Sequence, residues 1–356
     1  MTLCEADLMD EAALAFRDAA TESERPEQAW VLRDVQLAWT ELRFLVGQWE
    51  EAALELEGGI EFARERGNLN LLSKARGYLA LIAVARGDRT AAESALATAE
   101  ARSALRQPGP FGAVVAYAAA MLAESAGQPD VALEQLLPTW RDQVDSDNRH
   151  YERLLAPALV RLALTLDQPA LALDVTDRAE QGAALAPSVP SVQGAALRCR
   201  GLIERDPEIM LRAVERAADS RRALDHAGSL EDAAKVLTLC QRAAEARALL
   251  AQAIDRYEAI GARSFAARAG ASFRELGGRR GSRGSRRRAL SGWESLTTSE
   301  RAVAELVGEG LTNRAIARHL FTSPHTVNTH LRHAFQKLDV STRAGLATRV
   351  SRERST

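Results

Sequence analysis

Four residues set the period of the long N-terminal part of this chain: Gly47, Gly87, Gly127 and Asp167, each 40 residues after the last. Five residues after each comes an alanine (Ala52, Ala92, Ala132, Ala172), and five before each a large aliphatic (Leu42, Ile82, Leu122, Leu162). Nine after come Leu56, Leu96 and Leu136, with Thr176 breaking the series. A glycine followed by polar residues ends a helix, and proline after Gln128 and Gln168 starts the next. The spacing therefore predicts helices of about 15 residues on either side of each turn. The recurring alanine marks where two antiparallel helices approach closely. A helix pair repeated in this way is an α-solenoid. A weaker fifth unit turns near Asp206-Pro207, a sixth near Gln241 with Ala246 in the alanine position, and a last helix runs to about Leu276. Hydrophobic residues make up 46% of the chain but aromatic ones only 5%, which favours helices over strands.

The stretch from Leu296 to Val350 has a different pattern. Thr297, with Glu300 three residues on, is a capping box for a first helix whose apolar stripe is Val303, Leu306 and Val307. Gly308 and Gly310 end that helix, and Thr312 caps a second that faces inward through Ile316, Ala317 and Leu320. Ser323-Pro324 starts a third, which buries Val327, Leu331, Phe335 and Leu338. His325, Thr326, Asn328, Thr329, Arg332, His333, Gln336 and Lys337 are left outside, a polar face without acid. Two helices and a tight turn, the second helix with such a face, have the geometry of a helix-turn-helix that enters the major groove.

This stretch resembles the LuxR-type helix-turn-helix family in Leu296-Thr297, Gly310 to Arg314, Ser323-Pro324, Thr326 to Leu331 and Lys337 to Ala344. The departure is Ala315 in a position usually held by glutamate, which leaves the second capping box half made. The upstream units resemble tetratricopeptide repeats with a longer period. Their order resembles the C-terminal portion of the large ATP-binding LuxR regulators, in which a nucleotide-binding module precedes the repeats. No G-x-x-x-x-G-K-[ST] occurs here, and none of Lys74, Lys235 and Lys337 follows a glycine. Whether an upstream module was lost is open. The expected fold is all-α, a tetratricopeptide-like α-solenoid followed by a four-helix LuxR-type helix-turn-helix domain.

Charge divides the chain at the same place. Residues 277–356 hold 15 Lys+Arg against 6 Asp+Glu, net +9, while residues 1–276 hold 31 against 42, net −11. A basic module suits a polyanion and an acidic one is repelled by it. Between them GGRRGSRGSRRRALSG carries six arginines among glycines and serines, either a solvated tether or an arm on the DNA backbone. The expected domains are residues 1–276 (helical repeats), 277–292 (linker) and 293–356 (DNA-binding).

The resemblance implies base contacts from Asn328, Thr329 and Arg332. Arginine offers guanine a bidentate fork; the alternative for Arg332 is a solvated cation. Backbone contacts fall on Thr312, Asn313, Arg314, Ser323, His325, Thr326 and Lys337, helped by two helix N-termini; Thr326 is equally read as an ordinary first-turn residue. The fourth helix, from Ser341 to about Val350, carries Ala344, Leu346, Ala347 and Val350, which either dimerise, as in the family, or pack on the first helix. Double-stranded promoter DNA, a second copy, RNA polymerase or another protein, and an unidentified signal on the repeats are the expected partners. The resemblance leans towards activation.

Catalytic, cofactor and metal sites are not expected. Cys4, Cys199 and Cys240 lack paired spacing, and His319, His325, His330 and His333 lack cysteine or carboxylate company. No nucleophile elbow or alternating βα pattern is present. No run of eighteen apolar residues occurs and the N-terminus is acidic, so a cytoplasmic location without membrane contact is expected.

Overall fold

The computed structural model describes residues 2–22, 31–65, 69–106, 112–279, 292–320 and 324–354. Most of the linker, residues 280–291, lies outside them. Among the described residues there is no strand. In order, the helices are α1 (Thr2–Glu5), α2 (Met9–Glu22), α3 (Val31–Leu45), α4 (Trp49–Glu65), α5 (Leu69–Arg86), α6 (Arg89–Leu96), α7 (Ala99–Arg106), α8 (Ala113–Ser125), α9 (Pro129–Asp145) and α10 (Glu152–Thr165). Then come α11 (Pro169–Leu185), α12 (Pro190–Glu204), α13 (Pro207–Asp219), α14 (Ala223–Leu239), α15 (Ala243–Ala259) and α16 (Arg263–Glu275). Helices α17 (Thr298–Gly308), α18 (Asn313–His319), α19 (Pro324–Leu338) and α20 (Arg343–Arg354) complete the chain. They fall into two compact units. One holds Met1–Leu14, Glu41–Trp49 and Ile60–Arg279; the other holds Ala15–Thr40, Glu50–Gly59 and Arg280–Thr356.

In the first unit the period has a backbone cause. Gly47, Gly87, Gly127 and Asp167 all adopt positive φ, at 89°, 81°, 73° and 54°. Each ends a helix in the left-handed conformation that lets the next amide turn back, as Asp88 N does to Ala83 O at 2.9 Å and Gln168 N to Ala163 O at 2.8 Å. The following helix opens on a cap or a proline: Asp88 accepts from Ala91 N, and Pro129 and Pro169 stand at first helical positions. Ala92, Ala132 and Ala172 are fully buried, as is Ala52 in the second unit. The unit that the sequence did not reveal is the first. Asp7, 40 residues before Gly47, has φ 60°, and Ala12 five residues later is buried. Later turns fall at Arg205, Gln241 and Gly277, so the period shortens. One expected helix is interrupted: α6 stops after 8 residues and Thr98 starts α7 by accepting from Ala101 N.

This array returns on itself. Helix α16 packs on α5. A Cβ on Gly47 would lie 2.5 Å from Ile260 Cγ2, so that turn needs glycine for space as well as for its φ. The N-terminal segment is held across the array. Arg222 Nε donates to Asp7 at 2.7 Å and its Nη2 to the Cys4 carbonyl at 2.6 Å, while Ser191 N donates to the other Asp7 oxygen at 2.6 Å. Asp7 and Arg222 are both buried, so their pairing offsets a desolvation cost that either alone would bear in full. Further buried pairs join successive repeats, Glu41 with Lys74 at 2.6 Å and Asp232 with Arg198 at 2.5 Å. Burial alone would raise the Asp232 carboxyl, but Arg198, Lys235 and Arg161 outweigh it and hold it well below the usual carboxylate range.

In the second unit, Phe16 meets Trp39 edge-on at 6.0 Å and Thr40 donates to Glu55. Helices α17 to α20 enclose a core of their own, including Leu296, Val303, Val307, Ile316, Val327, Leu331 and Leu346.

The fifth repeat shows how tight the alanine contact is. Here the fifth residue after the turn is Met210, fully buried, and the residue opposite is Gly201, where a Cβ would come 2.6 Å from Met210 Sδ. The equivalent pairs in three earlier repeats are Ala83/Ala92, Ala123/Ala132 and Ala163/Ala172. Gly201→Ala is expected to overpack this contact and lower the unfolding free energy by about 1–2 kcal/mol despite better helix propensity. Adding Met210→Ala should recover part of that loss, since it recreates the alanine pair. Urea denaturation of the two single variants and the double variant measures the coupling.

Candidate nucleic-acid interface

Helix α17 opens on the expected capping box. Thr297 Oγ1 accepts from Glu300 N at 3.1 Å, and Glu300 Oε2 accepts from Thr297 N at 2.8 Å. Glu300 also does something that its sequence position did not suggest. It is 1% exposed and takes the Lys337 ammonium at 2.7 Å, with His333 Nδ1 3.7 Å away, so one carboxylate ties the start of α17 to the C-terminal half of α19. Gly310, φ 84°, turns the chain out of α17. Gly308 is not a breaker: it is the last residue of α17, where a Cβ would lie 2.8 Å from Val350 Cγ1. Its lack of a side chain lets α20 lie close against α17.

Thr312 caps α18 by accepting from Ala315 N at 3.3 Å, the half of the box that remains when Ala315 replaces an acid. Ser323 lies outside the described residues, as does the side chain of His325; Pro324 is the first residue of α19. Along α19, Asn328, Arg332 and Gln336 are exposed, and Thr329, His333 and Lys337 are half-buried. Two expectations change here. Thr326, expected on the outer face, is 1% exposed, because it sits beside Val327 on the side of α19 turned to the core. Lys337 is outward only in part, since Glu300 engages its ammonium.

Asn313 and Arg314 open α18, half-buried and exposed respectively, and Thr312 before them is exposed. Arg343, at the start of α20, donates to Asn313 Oδ1 at 2.7 Å and to the Leu311 carbonyl, and Asn313 Nδ2 in turn donates to Asn328 Oδ1 at 3.4 Å. Thus α20 holds the turn before α18, and α18 touches the outer face of α19. Asn313, Asn328, Thr329, Arg332, Gln336 and Arg343 line one shallow groove. The structure therefore brings all three expected base-contacting residues together with Asn313. The role of Arg343 was missed; the only signal was its place in the Lys337–Ala344 motif.

Of the four residues expected to dimerise, Leu346 and Val350 are buried in the core of this same module, at 0% and 1%. Val350 fills the space that Gly308 leaves and Leu346 lies in the same core, so neither is a free surface. Ala344 is exposed and Ala347 half-buried.

Residues 294–350 match the luxR family of bacterial regulatory proteins. This segment is a luxR-family helix-turn-helix domain. The domain is also similar to proteins of Mycobacterium bovis and Mycobacterium tuberculosis that carry the provisional name of HTH-type transcriptional regulators. Identity is 49% over 73 residues, which is 20% of this chain and 8% of each mycobacterial protein. The monoamine regulon transcriptional regulator of Klebsiella aerogenes is 46% identical over 55 residues, 15% of this chain and 24% of that protein. The chain thus matches a small fraction of the length of these relatives. No described helix is long and apolar enough to cross a membrane.

Glu300→Ala removes one half of the capping box and the partner of Lys337. About 1 kcal/mol is expected for the cap and a comparable amount for the ion pair, which Lys337 exposure weakens. Hydrogen exchange in the full-length chain should show lost protection of the first-turn amides of α17, while amides of α10 and α14 keep theirs.

Proposed function

We propose that the chain is a sequence-specific DNA-binding transcription regulator, with the luxR-family domain as reader and the repeats as the part that senses a signal or partner. The observation that carries this reading is the row of Asn328, Arg332 and Gln336 on the outer face of α19, exposed and free of acid. That face follows a turn held by Thr312 and Arg343. An α-helix of this kind fits the major groove, where Arg332 would fork to guanine and Asn328 and Thr329 would take neighbouring bases. Thr312, Asn313 and Arg314, at the N-terminus of α18, supply amides and cations to the phosphates. The domain division at 276 and 293, the activator role through RNA polymerase or another protein, and the cytoplasmic location belong to the same proposal. So does action by binding rather than catalysis. A homodimer on DNA would use the side of α20 that carries Ala344 and Ala347.

Residues 292–356 alone are expected to bind duplex DNA. With about five phosphates neutralised, log K should fall against log salt with a slope of roughly −4 to −5. Absence of salt-sensitive binding would sink the reading.

Arg332→Ala should cost about 1–3 kcal/mol on a preferred duplex and relax selectivity at one base pair. Replacing Arg286, Arg287 and Arg288 together should weaken all duplexes alike. Competition binding against a randomised duplex pool separates the two, and a sequence-blind loss at Arg332 would assign it to phosphate.

A further inference from the structure

The return of the repeat array encloses a cavity of about 50 Å3 inside the first unit. Its wall is unusual for a helical repeat because it carries charge of both signs. Helix α1 contributes Glu5, the last turns of α3 Glu41, the start of α10 Arg153 with His150 and Tyr151 just before it, and the start of α14 Asp225 with Arg222 just before it. Phe44, Leu81 and Leu154 are among the apolar lining.

Most of these charges are already matched. Glu41 takes Lys74 at 2.6 Å and Tyr78 at 2.8 Å, His150 takes Glu5 at 2.8 Å, and Arg222 is committed to Asp7 and the Cys4 carbonyl. Three groups are not. Arg153 gives one N–H to the Glu5 carbonyl at 3.1 Å and has no carboxylate within salt-bridge distance among the described residues. Asp225 has neither a hydrogen bond nor an ion pair among them. Tyr151, 6% exposed, approaches the Lys74 ammonium, yet its hydroxyl completes no hydrogen bond. Arg153 and Asp225 feel each other's charge without touching. Burial, together with Arg222, pulls the Arg153 guanidinium down to about 10. Burial lifts the Asp225 carboxyl above the ordinary aspartate range despite Arg222, Arg198 and Arg153. Arg153 and Asp225 are half-buried, so two partly desolvated groups of opposite sign stand on one cavity wall without a charged partner, a cost that a ligand can relieve.

We propose that this cavity binds a small zwitterion of the amino-acid type, its carboxylate on Arg153 and its ammonium on Asp225. A simple anion would satisfy Arg153 but crowd Asp225, Glu5 and Glu41. A simple amine would satisfy Asp225 but add a cation beside Arg153 and Arg222. A zwitterion adds no net charge to an enclosed site and matches both ends. The Tyr151 hydroxyl can serve as a further donor or acceptor for either end. The volume holds on the order of four waters, and so a molecule of about five to seven non-hydrogen atoms. Because the wall joins α1, α3, α10 and α14, an occupant bridges the N-terminal segment to the repeats that close around it. Its binding would stabilise the closed array.

This inference rests on the sensing role proposed for the repeats, and it is tested without DNA so that the two can fail separately. The full-length chain is titrated by calorimetry and thermal unfolding with glycine, L-alanine, β-alanine and 4-aminobutyrate, and in parallel with acetate, propionate, ethylammonium and propylammonium. At least one zwitterion should bind at least tenfold more tightly than any singly charged probe and raise Tm by several degrees near saturation. Arg153→Gln and Asp225→Asn should each weaken that binding at least tenfold. If one of them does not fold, the other and the comparison of probes on the unaltered chain still decide. Tighter binding of the acetate or ammonium series, or no binding of any zwitterion at about 10 mM, overturns the proposal. Zwitterion binding by a chain that fails to bind DNA would retain the cavity and remove the regulator.

Discussion

The architecture depends on how closely two helix backbones can approach. At Ala92, Ala132 and Ala172 the packed surface admits one methyl group, and at Met210 a larger side chain is accommodated only because the opposing residue is Gly201. The left-handed residue five positions earlier sets the direction of return, so contact and turn are coupled at a fixed distance along the chain. Each pair buries its seam but leaves a face for the next pair, and stability accrues from neighbour to neighbour.

What limits this propagation is the N-terminal segment. Asp7 and Cys4 engage Arg222 from more than two hundred residues away, and Glu5 engages His150 and Arg153. A repeat array ordinarily keeps an open concave side for partners. Here α1 lies across the array and lines a small, charged cavity with α3, α10 and α14. The same closure places Gly47 against Ile260, which explains a glycine where the turn alone would also accept aspartate, as Asp167 shows.

The luxR-family domain uses different means at a smaller scale. Polar ties add to its apolar core and join its helices at particular atoms. Glu300 joins α17 to α19 through Lys337, and Arg343 joins α20 to the turn that α18 starts from. Both act through charge-assisted hydrogen bonds, which are shorter and stronger than neutral ones and fix geometry at particular atoms. Glu300 is thereby turned inward and neutralised, while the exposed Asp339, just past the end of α19, is the acid that lines the groove beside Gln336.

Features that depend on chain-local rules were legible in the sequence. The turns at Gly47, Gly87, Gly127, Asp167 and Gln241, the buried alanines after them, the Thr297 box, the half-made Thr312 cap and the four C-terminal helices all follow from backbone conformation and from periodicity within a few residues. Asp7 obeyed the same rule and was overlooked, because one aspartate without its repeat neighbours is a weak signal. Tertiary structure alone decided the rest. Periodicity places Thr326 on the rim of an amphipathic helix, and only packing turns it inward; it places Leu346 and Val350 on a stripe without saying which surface covers them. The pairings of Asp7 with Arg222, Glu300 with Lys337 and Arg343 with Asn313 join charges far apart in sequence. Any of many arginines would have satisfied the local pattern equally, and the closed chain path selected one.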